Sequence, residues 1–256
     1  MSIETTLAGG VAVVTMASED GLNVATVAAM TSLREALAEL ASDERARAVV
    51  LTGSGGRAFC AGADIKYMST LDRDGATEWG RLGHEVTGLL ETMPKATIAA
   101  LDGLTLGGGM ELALACDLRY ASSATKLGQP EVNLALMPGW GGTQRLARAS
   151  SLGFAKELIL TGRVIAADEA LQRGVVDAVE DPVLDKALEV AAAIATKSAA
   201  AVAAAKHLCN LALQGAYPEI LEQEATRFGD LFGTTETAEG LRAFVEKREP
   251  RFERPD

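Results

Sequence analysis

The period of the apolar positions changes along the chain. Residues 3–7 and 11–16 read as two strands around Gly9-Gly10, which predicts a hairpin. From 24 to 40 the apolar residues Val27, Met30, Leu33, Leu37 and Leu40 recur at three and four, with Arg34, Glu35 and Glu39 on the other side, so the spacing predicts an amphipathic helix. Residues 48–52 and 96–101 are short apolar runs of the kind found in strands covered on both faces. Gly53-Ser54-Gly55-Gly56 ends the first run. After the second, residues 103–109 read as a glycine turn, 110–115 as the body of a short helix and 118–121 as another strand. Strand, glycine turn and helix thus repeat without a matching sequence period, which predicts an α/β chain of stacked ββα-like turns whose repetition is structural only.

Beyond Val179 the strand signals stop. Residues 182–197, 198–213, 218–232 and 235–247 read as helices, the first two rich in Ala and Leu. Residues 1–195 are accordingly expected to form the core and 196–256 an all-helical region. That region either caps the core or joins subunits; the second reading is favoured, because helices with apolar faces all round need a partner.

Composition narrows the class of protein. A chain of 256 residues, 48% hydrophobic, can bury one sizeable core with a small appendage. No stretch approaches the ~20 uninterrupted apolar residues of a membrane-spanning helix. Met1-Ser2-Ile3-Glu4 lacks the basic-then-apolar order of a signal peptide, so a cytoplasmic protein with no membrane partner is expected. A formal charge of −11 disfavours nucleic acid and requires any polyanionic ligand to be met at a local basic cluster. Cys60, Cys116 and Cys209 are odd in number and widely spaced, which suggests neither a disulfide framework nor a zinc site, and no metal is expected.

The candidate chemistry lies in glycine turns with carboxylates between them. Leu106-Gly107-Gly108-Gly109-Met110-Glu111 sets consecutive glycines at a helix start, where unpaired N–H groups favour a developing negative charge; a tight packing turn is the other reading. Glu111 follows at once, flanked by Met110, Leu112, Ala113 and Leu114, and a carboxylate in so apolar a helix often carries a shifted pKa and a task. In Gly128-Gln129-Pro130-Glu131 a second glutamate stands beside a rigid proline, where a plain first-turn helix charge is the alternative. Pro138-Gly139-Trp140-Gly141-Gly142-Thr143-Gln144-Arg145-Leu146 supplies another glycine turn feeding a helix. No dinucleotide fingerprint or phosphate loop occurs, and His84 and His207 lie in no motif, so neither nucleotide-driven chemistry nor a Ser-His-Asp triad is supported.

These motifs, together with Ala58-Phe59-Cys60-Ala61-Gly62-Ala63-Asp64-Ile65 and the segment from Ala238 to Arg248, occur in the order and at the spacings of the enoyl-CoA hydratase/isomerase, or crotonase, family, which the chain closely resembles. The resemblance implies a crotonase-type spiral of ββα turns with a C-terminal helical trimerisation region, assembled as a homotrimer or a hexamer of two trimers. It also implies an acyl-CoA substrate, with coenzyme A part of the substrate and no separate cofactor. By the family pattern the amides of Ala63 and Gly108 form the oxyanion hole, and Glu111 and Glu131 match the two catalytic glutamates of the hydratases proper. Ala61, Asp64, Ile65 and Gly139 are expected along the substrate, with Arg57, Lys66, Lys247, Arg248 and Arg251 as candidate phosphate contacts. Phe244 and Lys247 match tail positions that complete a neighbouring subunit's CoA site. Trp140 departs from the small residue common there; it either narrows the acyl pocket or packs away as core. The activity implied is hydration of 2-enoyl-CoA to 3-hydroxyacyl-CoA. The alternatives are Δ3,Δ2-enoyl-CoA isomerisation, which needs one glutamate, and a non-catalytic acyl-CoA binder.

Overall fold

The computed structural model describes residues 1–212, 234–248 and 251, so the helix expected over 218–232 lies outside the described residues. Strands β1 (Ser2–Ala8) and β2 (Val11–Ala17) form the expected antiparallel hairpin, registered from Ser2 opposite Ala17 to Ala8 opposite Val11. Gly9 and Gly10 turn it with φ of 59° and 84°, the positive pair a two-residue hairpin loop needs. Helix α1 (Val27–Ser42) is capped by Thr26, whose hydroxyl accepts from the Ala29 amide. Its buried stripe is Ala29, Met30, Leu33, Leu37 and Leu40. Val27, expected in that stripe, is 37% exposed, because the helix begins there and its inward face starts at Ala29 and Met30.

The chain then winds through three ββα turns. Strands β3 (Ala48–Gly53), β5 (Ala96–Leu101) and β7 (Leu118–Ala121) run parallel, with Val50 beside Ile98 and Ile98 beside Leu118. Each passes directly into a shorter strand of a second sheet: β4 (Ala58–Cys60), β6 (Leu104–Leu106) and β8 (Lys126–Gly128). Each short strand leads to helix. After β4 come α2 (Ile65–Met68) and α3 (Arg73–Thr92), after β6 comes α4 (Gly108–Ala115), and after β8 a 3₁₀ helix over Pro130–Leu134. The stretch 103–109, expected to be all turn, therefore holds a strand, whose three residues are too few to display a period. Helices α5 (Gly142–Ala149) and α6 (Leu152–Thr161), strand β9 (Val164–Ala166), helix α7 (Ala167–Gln172) and strand β10 (Ala178–Val179) complete the layers. The sheets are ordered β1-β2-β3-β5-β7-β10 and β4-β6-β8-β9.

Helix α8 (Val183–Ala195) lies on the large sheet, burying Val183, Ala187, Ala191 and Ala195 against Val50, Ile98, Ala100 and Tyr120. A small residue every fourth position lets the helix approach the strands closely. A larger core fills the space between the sheets and α1, α3 and α4, with Met30, Leu33, Leu51, Phe59, Leu101 and Met110 at its centre. Helix α9 (Ala199–Leu211) differs, since none of its residues is buried. Polar bonds tie it down: Lys206 Nζ donates to Leu90 O (3.0 Å) and Lys95 O (2.9 Å) and pairs with Asp117 (2.8 Å), and Asn210 Nδ2 donates to Glu91 O (2.8 Å). Helix α10 (Thr235–Glu246) follows the undescribed segment.

Candidate active site

Because β4, β6 and β8 are parallel neighbours, the segments that leave their ends emerge side by side. They wall a cavity of about 660 Å³. The β4 end supplies Ala61, Gly62 and Ala63, the β6 end Gly107 and Gly108, and the β8 end Pro130 and Glu131. The close fit of the first two depends on Gly109: a Cβ there would stand 2.1 Å from Cys60 O, so no larger residue allows α4 to start against the end of β4. Along these loops the Ala61 amide donates to Leu22 O (2.9 Å), Asp64 to Ala25 O (3.0 Å) and Gly107 to Gly128 O (2.9 Å). The Ala63 and Gly108 amides have no acceptor among the described residues, and Gly108 opens α4, where helix geometry leaves N–H groups unpaired. Two wall residues thus keep free donors.

Glu111 sits one turn into α4 and is 2% exposed. Its Oε1 accepts from the amides of Trp140 and Gly142, both at 2.7 Å. Burial pushes its pKa up, while those two amides and the Arg145 charge pull the other way. Glu131, in the first turn of the 3₁₀ helix behind Pro130, is half-buried. Burial is the main cause that raises it to about 7; its own backbone amide opposes the rise, and the Glu111 charge adds to it. Two carboxylates in one cavity therefore sit in different surroundings. Fully buried Gln129, its amide nitrogen turned toward Glu131, donates to both carboxylate oxygens at 2.8 and 3.1 Å. Gln129 was not anticipated as a site residue; its signal in the sequence is an amide set two residues before the carboxylate, separated by a rigid proline.

Trp140 is at once a core residue, 3% exposed, and a wall of the cavity. The indole lies across two glycines: a Cβ on Gly83 of α3 would come within 1.9 Å of it, and one on Gly108 within 2.3 Å. It meets Trp79 edge-to-face at 5.1 Å, and Trp79 meets Tyr67 in the same way at 5.7 Å. Trp79, also on the wall, was not anticipated from the sequence. At the rim Leu134, Leu136 and Met137 leave large apolar side chains exposed, Met137 by 69%.

Of the other expected residues, Ala61, Ile65 and Gly139 line the cavity. Asp64, Arg57 and Lys66 stand off its wall. The Asp64 carboxylate caps α2, accepting from the amides of Lys66 (3.0 Å) and Tyr67 (3.2 Å), so its part is to fix the helix that presents Ile65. Arg57 donates to the Asp20 carbonyl and lies along Gly21. Lys66 is exposed on α2. Lys247 follows α10, exposed with a φ of 55°, and the Phe244 side chain lies outside what is described.

The spiral of ββα turns thus gathers two free amides and two glutamates at its strand ends, the arrangement of a site that can polarise a carbonyl and move a proton beside it. Residues 6–255 match the enoyl-CoA hydratase/isomerase family, and the chain belongs to it. It is 40% identical over 242 residues to the short-chain-enoyl-CoA hydratase of Clostridium acetobutylicum, covering 94% of this chain and 93% of that one. It is 42% identical over 225 residues to the crotonyl-CoA hydratase of Syntrophomonas wolfei, covering 87% and 86%. The crystal structure of an enoyl-CoA hydratase from Bacillus anthracis superposes with a TM-score of 0.94 at 36% identity, covering 98% of this chain and 99% of that one, so the expected spiral fold is the observed one.

Proposed function

We propose that the chain is an enoyl-CoA hydratase acting on short 2-enoyl-CoA thioesters, with Glu111 and Glu131 as its acid/base pair. One observation carries the reading: two carboxylates on one cavity, one anchored by two amides and the other raised to about 7, beside two amides with nothing to bind. The thioester carbonyl oxygen is received by the Ala63 and Gly108 amides, which stabilise the enolate-like charge that builds as water attacks C3. One such donor is worth ~3 kcal/mol. Glu111, ionised, orients the water and takes its proton; Glu131, protonated over part of the neutral range, delivers a proton to C2. Both act from one cavity, so water adds syn. Coenzyme A enters as part of the substrate; its phosphates lie outside the cavity, where we assign Lys66, the exposed chain neighbour of wall residue Ile65, to meet them. The protein works in the cytoplasm.

The subunits assemble as trimers or paired trimers. Support comes from α9, whose Ala-rich surface is left without a buried residue in the single chain.

Loss of the conjugated enoyl-thioester absorbance of crotonyl-CoA tests the activity. Rapid loss is expected with wild type, and a fall of at least about a hundredfold in kcat for Glu111→Gln and for Glu131→Gln. A wild type that leaves 2-enoyl-CoAs untouched but converts 3-enoyl-CoA to the 2-isomer overturns the hydratase reading in favour of the isomerase.

A further inference from the structure

We infer that Arg145, braced by Glu91, is a positioning residue that holds the 140–142 loop so that its two amides stay on Glu111; the inference rests on the hydratase reading above. Trp140 is gripped at both ends. Its N–H donates to Glu111 Oε1 at 2.7 Å, and its carbonyl accepts from Arg145 Nη1 at 2.9 Å and from Thr87 Oγ1 at 3.2 Å. Arg145 is itself anchored, donating from Nε (3.1 Å) and Nη2 (2.7 Å) to Glu91 Oε2 in the last turn of α3. The Arg145 side chain is 14% exposed, and both of these donors converge on one carboxylate oxygen, so the ion pair is shielded and held at two points of the guanidinium. The loop bends around it: Gly141 has a φ of 102°, and a Cβ there would lie 2.3 Å from Arg145 Nη1. Nothing but glycine lets the chain turn this tightly over the charge.

The loop is thus strung between Glu111 on the cavity side and Arg145 on the other, and α3 supplies two of its fixings, Thr87 and Glu91. Slackening the outer fixing frees the Trp140 and Gly142 amides to drift from the carboxylate. Because those amides favour the ionised form, a slack loop makes Glu111 easier to protonate. The charges that bear on Glu111 are Arg145 from α5 and Glu131 from the 3₁₀ helix, with Glu91 of α3 and Arg148 of α5, 3.6 Å from Glu91, behind the guanidinium. Removing Arg145 raises the Glu111 pKa whether the arginine acts as a clamp or as a bare charge. Removing the negative charge of Glu91 separates the two: a bare-charge role lowers the Glu111 pKa, a clamp role raises it.

The experiment measures crotonyl-CoA hydration from pH 5 to 9 for wild type, Arg145→Gln and Glu91→Gln, with the Glu111 carboxyl followed in parallel by ¹³C NMR titration of glutamate-labelled protein, its signal assigned through Glu111→Gln. Arg145→Gln is expected to lower kcat roughly tenfold to a hundredfold, as a small misplacement of a reacting group does, with KM within about twofold. The acid limb of kcat and the NMR midpoint both move to higher pH in Arg145→Gln and, by less, in Glu91→Gln. A midpoint that stays put in Arg145→Gln, or moves down in Glu91→Gln, overturns the clamp. A wild type inactive on crotonyl-CoA counts against the hydratase reading alone, because the NMR titration still decides whether Arg145 and Glu91 hold the loop on Glu111.

Discussion

Glu131 carries its raised proton affinity as a stability cost. A carboxyl near 4.5 in the unfolded chain and about 7 in the folded one favours folding while protonated. That stability is complete below 4.5 and is lost as pH rises through 7. Glu131→Gln, neutral at every pH, is therefore expected to be more stable than wild type at pH 8, by about 1 kcal/mol once partial exposure is allowed for, and to converge with it at pH 4 to 5. Thermal melts of the two proteins at pH 5 and pH 8 check this; a Glu131→Gln melting below wild type at both values sinks it. Glu111 stood out in the sequence because a carboxylate amid Met110, Leu112 and Leu114 is out of place on chemical grounds, whereas Glu131 behind Pro130 reads by itself as an ordinary first-turn charge and stood out only through the family resemblance. Their anchors were not legible. Trp140 reaches Glu111 across 29 residues of chain, and Arg145 reaches Glu91 across 54, so the contacts exist only once the spiral has brought three turns together.

Among the elements, α3 shows why part of the fold escaped the sequence reading. It is a helix of 20 residues interrupted by Gly75, Gly80, Gly83 and Gly88, and each glycine weakens the helical signal. At Gly83 the reason is steric: the Trp140 indole occupies the space of any side chain. Gly83→Ala is accordingly expected to destabilise, since the ~1 kcal/mol gained in helix propensity is outweighed by overpacking of about 1–3 kcal/mol and displacement of the cavity wall. Pairing it with Trp140→Leu should restore at least about 1 kcal/mol relative to additivity. Urea unfolding of the four proteins of this cycle measures the coupling, and strict additivity would refute the contact as an energetic one. The second sheet escaped for another reason. Strands of three residues carry one full alternation at most, whereas β3 and β5, buried along nearly their whole length, announce themselves as apolar runs.

At the scale of the molecule the two Ala-rich helices after Val179, alike in sequence, part company. Helix α8 seals the open face of the large sheet, and α9 remains on the surface, held by Lys206 and Asn210. Composition could not separate them, because the difference lies in which face meets a sheet. A subunit of 26.6 kDa that presents α9 outward should elute as a trimer or a hexamer, and light scattering coupled to size exclusion gives the mass directly; a monomer at micromolar concentration would count against the assembly. The cavity wall carries one more consequence. Trp79 and Trp140 are the two tryptophans of the chain, and both stand on that wall with rings 5.1 Å apart. All of the protein's indole emission therefore originates on the wall of this one cavity, from an edge-to-face pair close enough to exchange excitation, which gives the enzyme an unlabelled optical gauge of its own cavity.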